Sequence, residues 1–510
     1  MVVVAAAAQG LLALYQRLLL GEPRPAGTFL NPNYLACWLV MALLLSAGAW
    51  RREMSIGAMA VWFGLALPAT AALLLSGSRG GLLGLAAGIC WLVYRSWKRL
   101  RPSERRLCIV VMLIGICLVG WRLGSRLDED DPFRYQRLEI WKSSAGMVWD
   151  DPWWGCGPGQ FPVASSRYQF ADGNGPLRYD RAFRIPHSDL IRAFSEFGIP
   201  AALALLAALL LAARETARRR YTESGAQAAL VAVGFQALVD DPSHWPAVYL
   251  LAALLLGFLL SGPAPAPAPA RLPRSARAAL ALLLMLVFVV GDLGPTAAHL
   301  QTRALPARNL DPDQERVLAG ALQLNPVHPD YWRRHAESVA GSSMPLTLER
   351  YAVARESAER AIRFNRADSL NHWMAAKVER RACLKLFKDV ACRERVSARY
   401  RWAQALKPYD ARVSLDHGQF LLAAGDPEGA RRFAQRALTM EPEGVAARLL
   451  LAECFLRQGR PDPERAAELL RDAQRLARKH AKAAAANEYS MQMLMLDQRR
   501  LSRLMSMVQP

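Results

Sequence analysis

Apolar residues are distributed along this chain in two different ways. Up to about residue 299 they run in long blocks; beyond it, Ala and Leu alternate with charge every few residues. A bilayer core about 30 Å thick asks for roughly 20 apolar residues per helix. Nine segments approach that length, near 2–20, 34–50, 56–75, 79–97, 107–123, 188–212, 226–240, 246–262 and 277–297. The 226–240 segment is the weakest, being short and ending in Asp240 and Asp241. Segment 2–20 reads as a spanning helix, because no basic stretch precedes it and Gln16 and Arg17 break its apolar run before any cleavage-like sequence.

The second pattern predicts paired amphipathic helices from about 308 onward, with Pro between them. Similar phrases recur as ALQLNPVHPDYW (321–332), AIRFNRADSLNHW (361–373), ALKPYDARVSL (405–415) and ALTMEPEGVAARLL from about 438. Pro408 and Pro442 lie 34 residues apart, the period of tetratricopeptide repeats. Gly418, Ala430 and Ala437 take the small-residue positions, where neighbouring helices approach, and Pro442 ends a helix. The expectation is an all-α chain: a polytopic transmembrane helix bundle (1–262), a Pro/Ala-rich linker (263–276), a last transmembrane helix (277–297) and a soluble tetratricopeptide-like solenoid (300–510). The solenoid is either a concave surface for a protein partner or a spacer. Trp332, Trp373 and Trp402 read as packing residues at helical spacing.

Charge sharpens the membrane reading. The 510 residues carry a net charge of +20, from 64 Lys and Arg against 44 Asp and Glu. Residues 1–299 hold 28 basic and 19 acidic residues, and the remainder 36 and 25, so no basic arm exists and nucleic acid is not an expected partner. Lys and Arg mark cytoplasmic loops. Fifteen basic residues fall in the loops at 51–52, 95–106, 214–220 and 271–277, whereas the intervening short loops carry only Arg24 and Arg79. The alternation places the N-terminus in the cytoplasm, with the 124–187 loop and everything after 299 outside.

Cys37, Cys90, Cys108 and Cys117 lie in apolar segments; Cys156, Cys383, Cys392 and Cys454 fall on the outer side, where disulfides persist. Cys383 and Cys392 are close enough to bridge an insertion. No His/Cys cluster has zinc spacing, and the run Asp128–Asp131 reads as a solvated turn, so neither a metal nor any other cofactor is expected.

Chemistry is concentrated in three outer segments. In GTFLNPNY, Asn31 precedes Pro32, and Asn33 is placed to cap the next helix. In SGSRGG, Arg79 stands at a helix N-terminus, where the macrodipole does not ask for a cation; it either binds an anion or anchors the helix at headgroups. In the long loop, Arg134, Arg137 and Trp141 lie on an expected surface helix. Gly155, Gly157 and Gly159 surround Pro158 in a tight turn that exposes backbone amides. His187 and Ser188 then open an apolar helix carrying Arg192 and Glu196, ionisable groups that are costly in lipid and are therefore site candidates. At four residues' separation the two could also simply pair with each other.

Four phrases in order, GTFLNPNYLA (27–36), SGSRGGLLGL (76–85), RLEIWKSSAGMVWDDPWWGCGPGQF (137–161) and HSDLIRAFSEFGIPAA (187–202), resemble the O-antigen ligase and polymerase family of membrane glycosyltransferases. His187, Ser188 and Gly198 fit the family's signature, and Ala201 departs from its last position. The resemblance implies transfer of a glycan from an undecaprenyl-diphosphate carrier, without cofactor, to a glycan, lipid A-core or protein acceptor on the outer face of the inner membrane. It implies that Arg79, Arg137 and Arg134 bind the diphosphate, that His187 serves as general base, and that Glu196 orients the helix or holds an arginine. A non-catalytic scaffold displaying the repeats is the alternative from another class. Family members carry several spanning helices before the first phrase where this chain has one, so either Met1 is not the true start or this is a shortened member.

Overall fold

The computed structural model describes residues 2–29, 31–48, 55–103, 136–173, 175–180, 182–218, 224–261, 293–303, 312–341, 344–387 and 389–508, with isolated residues at 105–110, 275–286 and 305. Its contacts divide it into two units, Met1–Phe161 with Ile185–Pro269, and Pro162–Arg184 with Ala270–Pro510. Every regular element among the described residues is helical.

The first unit contains α1 (Val2–Leu18), α2 (Pro32–Gly48), α3 (Ile56–Leu75), α4 (Arg79–Ser96), α5 (Gln136–Asp150), α6 (Asp189–Ala217), α7 (Ser224–Val239) and α8 (Pro246–Ser261). Serine hydroxyls start three of them: Ser55, Ser78 and Ser188 accept from the amides of Ala58, Gly81 and Ile191. Helices α3 and α6 are long and apolar enough to cross a membrane, and α1, α2, α7 and α8 are shorter apolar helices. Residues 111–123 and 287–292 of the expected segments 107–123 and 277–297, and the Pro263–Pro269 linker, lie outside the described residues.

Helix α2 is the hub of this unit, with Leu35, Leu39, Met41 and Leu44 all buried. Among helices that are apolar all round, close approach selects partners. Gly48 of α2 meets Gly225 of α7 so tightly that a Cβ on Gly48 would sit 2.2 Å from the Gly225 Cα.

The second unit contains α9 (Gly294–Arg303), α10 (Pro312–Leu324), α11 (Pro329–Gly341), α12 (Leu348–Phe364), α13 (Ser369–Ala382), α14 (Val390–Leu406), α15 (Ala411–Ala423), α16 (Pro427–Met440), α17 (Val445–Arg457), α18 (Pro463–Lys479), α19 (Glu488–Leu494) and α20 (Gln498–Val508). The recurring phrases are the short turns between helices, closed by bonds such as Asp410 N–H to the Lys407 carbonyl (3.3 Å) and Gly444 N–H to the Glu441 carbonyl (2.9 Å). Gly418 is a close-approach position as its place in the repeat implies: a Cβ there would lie 2.9 Å from Leu450 and 3.2 Å from the Ala430 carbonyl oxygen. Trp373 is buried and donates to Asp416 (2.8 Å), which also accepts from Tyr400 (2.7 Å). Trp402 departs from the packing expectation, being 61% exposed. Cys383 and Cys392 are free thiols buried in one cluster.

The segment Pro162–Arg184 groups with the repeats. Leu177 is buried in the same C-terminal core as Leu450 and Met493, and Tyr179 stacks on Tyr409 at 5.0 Å. The buried Glu441 carboxylate accepts from the backbone amides of Arg178 (2.5 Å) and Tyr179 (2.9 Å) and from the Tyr489 hydroxyl (2.7 Å).

Candidate functional site

In the first unit, breaks in helices converge on one polar cluster. Between α7 and α8 the chain runs Asp240–Asp241–Pro242–Ser243–His244–Trp245, and both aspartates are buried. Just before α6, His187 takes a left-handed backbone (φ 52°), the one such non-glycine residue among those described. Its Nδ1 faces the Asp241 carboxylate at 3.9 Å, and the side chain remains 30% exposed. The Asp189 amide donates to the Asp240 carbonyl (3.1 Å), while the Asp189 carboxylate accepts from Ser243 N–H (3.0 Å) and Ser243 Oγ (2.5 Å). The start of α6 is thus sewn to the α7–α8 connection.

Arg192 points into this cluster. Its guanidinium lies 3.4 Å from Asp241 and 2.8 Å from His244 Nδ1. It does not pair with Glu196, the simple alternative for two ionisable residues one turn apart. Burial, then the nearby Arg137 guanidinium, holds the His187 imidazole below the usual histidine value, with Asp240 opposing. Burial raises the Asp241 carboxyl above the ordinary range; a hydrogen bond to Asp240 and repulsion from it add to the shift, and Arg192 opposes it. His244 is lowered by burial and then by Arg192.

The other phrases reach the same place. Tyr34 donates to Asp241 (3.5 Å) and stacks on Trp245 (5.8 Å), against which Phe29 also packs (6.0 Å). Asn31, not Asn33, starts α2. Its side chain accepts from the Asn33 amide (2.8 Å) because Pro32 takes the first helical position, where no amide is needed. Asn33 instead accepts from Arg24 (3.1 Å) through its side chain and from Gln236 (3.2 Å) through its carbonyl. At the start of α4, where Arg79 is exposed, a Cβ on Gly80 would be 3.8 Å from the Asp240 Cβ. Arg137 of α5 donates to the Val239 carbonyl (3.0 Å), immediately before Asp240. Arg134 lies outside the described residues.

Glu196 is placed differently. Gly198 breaks α6 with φ 75° and ψ 173°, a conformation essentially reserved for glycine. The glycine turn docks on this break. Cys156 N–H donates to the Ser195 carbonyl (2.9 Å), Gly157 N–H to the Glu196 carbonyl (3.0 Å) and Ile199 N–H to the Pro152 carbonyl (2.7 Å). The Glu196 side chain, buried, accepts from Phe161 N–H (3.3 Å). The Gly157 amide, expected to be exposed for a ligand, is therefore spent inside the protein. Gly159, with φ 70°, has nothing within 4 Å of the position a Cβ would take.

Asp240, Asp241, Asp189, Tyr34, His244 and Trp245 were not among the site candidates read from sequence. The signal was there: an acidic pair ending an apolar run is as costly as the Arg192 that did draw attention. His187, Asp240 and Asp241 bring metal-capable atoms within 4.8 Å of one another. Arg192, 3.4 Å from Asp241, already supplies positive charge there.

The stretch that builds α6, the α5 helix and the His187 turn is also what comparison with known families recognises. Residues 63–206 match the O-antigen ligase family. Residues 421–487 match the tetratricopeptide repeat, so a segment similar to the O-antigen ligase family is followed in the chain by a segment similar to these repeats. No curated protein sequence matches the chain. Solved structures similar to it include MamA (12% identity, 33% of this chain and 89% of that one, TM-score 0.27). Others are a thermophilic TPR protein of Thermus thermophilus (17%, 38% and 88%, 0.28) and the yeast Tom70 (13%, 99% and 94%, 0.28). The O-antigen ligase match ends at residue 206, so Asp240 and Asp241 lie beyond it and join its site only through the fold.

Proposed function

We propose that this O-antigen ligase segment transfers a glycan from an undecaprenyl-diphosphate carrier to an acceptor hydroxyl at the outer face of the inner membrane. The observation that carries the proposal is the convergence of His187, Asp241, Arg192 and Arg137 at the breaks around α6 and α7. Exposed apolar side chains on α3, α6 and α8, among them Leu67, Leu74, Leu209 and Leu254, support a lipid surrounding. The positive-inside pattern supports a cytoplasmic N-terminus, with the loop after α4 and the repeats outside.

In this reading the acceptor oxygen attacks the anomeric carbon as its proton passes to His187 Nε2, the ring nitrogen turned away from Asp241. The bond from the anomeric carbon to the diphosphate oxygen breaks, and the electron pair leaves with the carrier. The carboxylates at 240–241 stabilise the imidazolium as it forms. Arg79 and Arg137, with Arg134 beside them in sequence, meet the charge that grows on the leaving diphosphate. Glu196 acts at one remove, holding the glycine turn through Phe161. Neither a metal nor another cofactor enters any step. Ligation onto lipid A-core, joining of repeat units and transfer to protein share this chemistry and differ only in acceptor.

The test is transfer in proteoliposomes supplied with undecaprenyl-diphosphate oligosaccharide. His187→Ala is expected to lose roughly 10²–10⁴-fold in rate, and Arg79→Ala or Arg137→Ala to weaken donor binding. Full activity of His187→Ala would sink the base assignment.

A further inference from the structure

The second unit contains an open cleft of about 1100 Å³, larger than the roughly 300–1,000 Å³ that suits a drug-sized ligand. Seven basic side chains line it. Three are held by carboxylates: Arg333 by Asp330 (2.8 Å), and Lys407 (3.0 Å) and Arg412 (2.7 Å) by Asp410. The other four, Arg184, Arg303, Arg334 and Lys377, have no carboxylate within ion-pair distance among the described residues. Lys377 lies against the ring of Trp373, another lining residue, at 4.3 Å, which holds its ammonium in place. Uncompensated cations gathered in one concavity raise the local concentration of an anionic ligand.

Acceptors stand among these cations, namely Glu337, Glu488 and Gln492. A peptide dense in carboxylates would be repelled by the two glutamates. A sugar acid carries one carboxylate per ring and several hydroxyl donors, and so uses both kinds of wall.

We propose that this cleft binds an acidic glycan, a polymer with uronic-acid-type carboxylates, holding it through Arg184, Arg303, Arg334 and Lys377. The proposal rests on the reading that the chain handles a glycan, and it deepens that reading by giving the repeats a ligand. The cleft either retains the growing product or presents an acceptor.

The test uses the full chain in nanodiscs, with oligogalacturonate as probe and, at matched length, maltooligosaccharide and oligoglutamate. Calorimetry is expected to show oligogalacturonate binding that weakens as salt rises, while the neutral glycan does not bind. The double variants Arg334→Glu/Lys377→Glu and Arg184→Glu/Arg303→Glu should each lose roughly tenfold or more in affinity. The second pair is exposed, so its variant keeps the fold and the result stays interpretable. Absent oligogalacturonate binding, binding indifferent to both double variants, or oligoglutamate binding as tightly would overturn the proposal. His187→Ala should bind the probe normally. A His187→Ala protein that binds and still transfers at full rate would refute the catalytic reading and leave the cleft standing.

Discussion

Replacing Glu441 with alanine should release the stretch 177–180 from the repeats while leaving the repeats folded. Two of the three hydrogen bonds accepted by Glu441 come from backbone amides of that segment, those of Arg178 and Tyr179. Hydrogen bonds to a charged partner are worth about 1.5–3 kcal/mol each, so these two contribute about 3–6 kcal/mol. Burial of Leu177 adds about 1.5–3 kcal/mol. The Tyr179–Tyr409 stack adds about 0.5–1.5 kcal/mol. Against them stands the entropy of fixing the four residues 177–180, at about 1–2 kcal/mol each. The balance favours the docked segment by only a few kcal/mol. Loss of the two amide bonds is as large as that margin or larger, so the docked state should give way.

Limited trypsin digestion of the full chain, followed by mass spectrometry, reads this directly, because Arg178 is exposed but its flanking backbone is tied down. Cleavage after Arg178 should be slow in the parent protein and fast in Glu441→Ala. Tyr489→Phe removes the third donor without touching the segment, and should leave the bond after Arg178 protected. Equal cleavage rates in the parent and Glu441→Ala would refute the argument. So would a collapse of the repeats in Glu441→Ala, because the carboxylate would then be holding the solenoid itself.

Two further outcomes concern the first unit. Gly198→Ala places a Cβ 2.5 Å from the Trp153 carbonyl oxygen at a backbone angle other residues avoid, and should lower thermal stability by at least about 1–3 kcal/mol; Gly173→Ala, with open space around it, is the control that should show no change. The His187 pKa is depressed, so the base stays neutral to a lower pH than an ordinary histidine and the acid limb of the rate profile should lie on the acid side of the usual histidine value; Asp240→Asn removes the group that favours the charged ring and should move the limb to still lower pH, whereas a shift upward would contradict the assigned geometry.

The helical pattern was legible wherever hydrophobicity alone decides it. Segment 56–75 is α3 to the residue, and the repeat turns at Pro326, Pro408 and Pro442 fall where those Pro residues stand. Length was less legible: α6 runs to Ala217, past the end of its apolar block at 212, because helical hydrogen bonding continues through Arg214 and Glu215. The site was half legible. His187 and Arg192 stand out as polar groups in apolar surroundings, but their partners at 240–244 lie some 50 residues away, and only packing supplies that proximity. The docking of 162–184 on the repeats was invisible, because Glu441 looks like any turn residue and what it reads is backbone, which has no sequence signature.

The candidate site residues share a cause for their location. An unbroken apolar helix satisfies its own backbone and offers nothing to a substrate, whereas a break frees amides and carbonyls that must then be paired. In the first unit the breaks are at Gly77 before α4, at His187 before α6, at Gly198 within it and at Asp240–His244 after α7. The breaks at His187 and Asp240–His244 close each other, and the glycine turn closes the one at Gly198. The Asp240 carbonyl takes the Asp189 amide, and the carbonyls of Ser195 and Glu196 take the amides of the glycine turn. Charged side chains then enter where the backbone has already opened a polar pocket, so Arg192 and Asp241 are solvated by protein instead of by water. That is why the arginines there outlast the helix-orienting charges as candidates for an anion. Those in the basic loops at 51–52, 95–106, 214–220 and 271–277 answer, in the proposed reading, to the membrane, whereas Arg137 answers to the carbonyl that ends α7, 3.0 Å away.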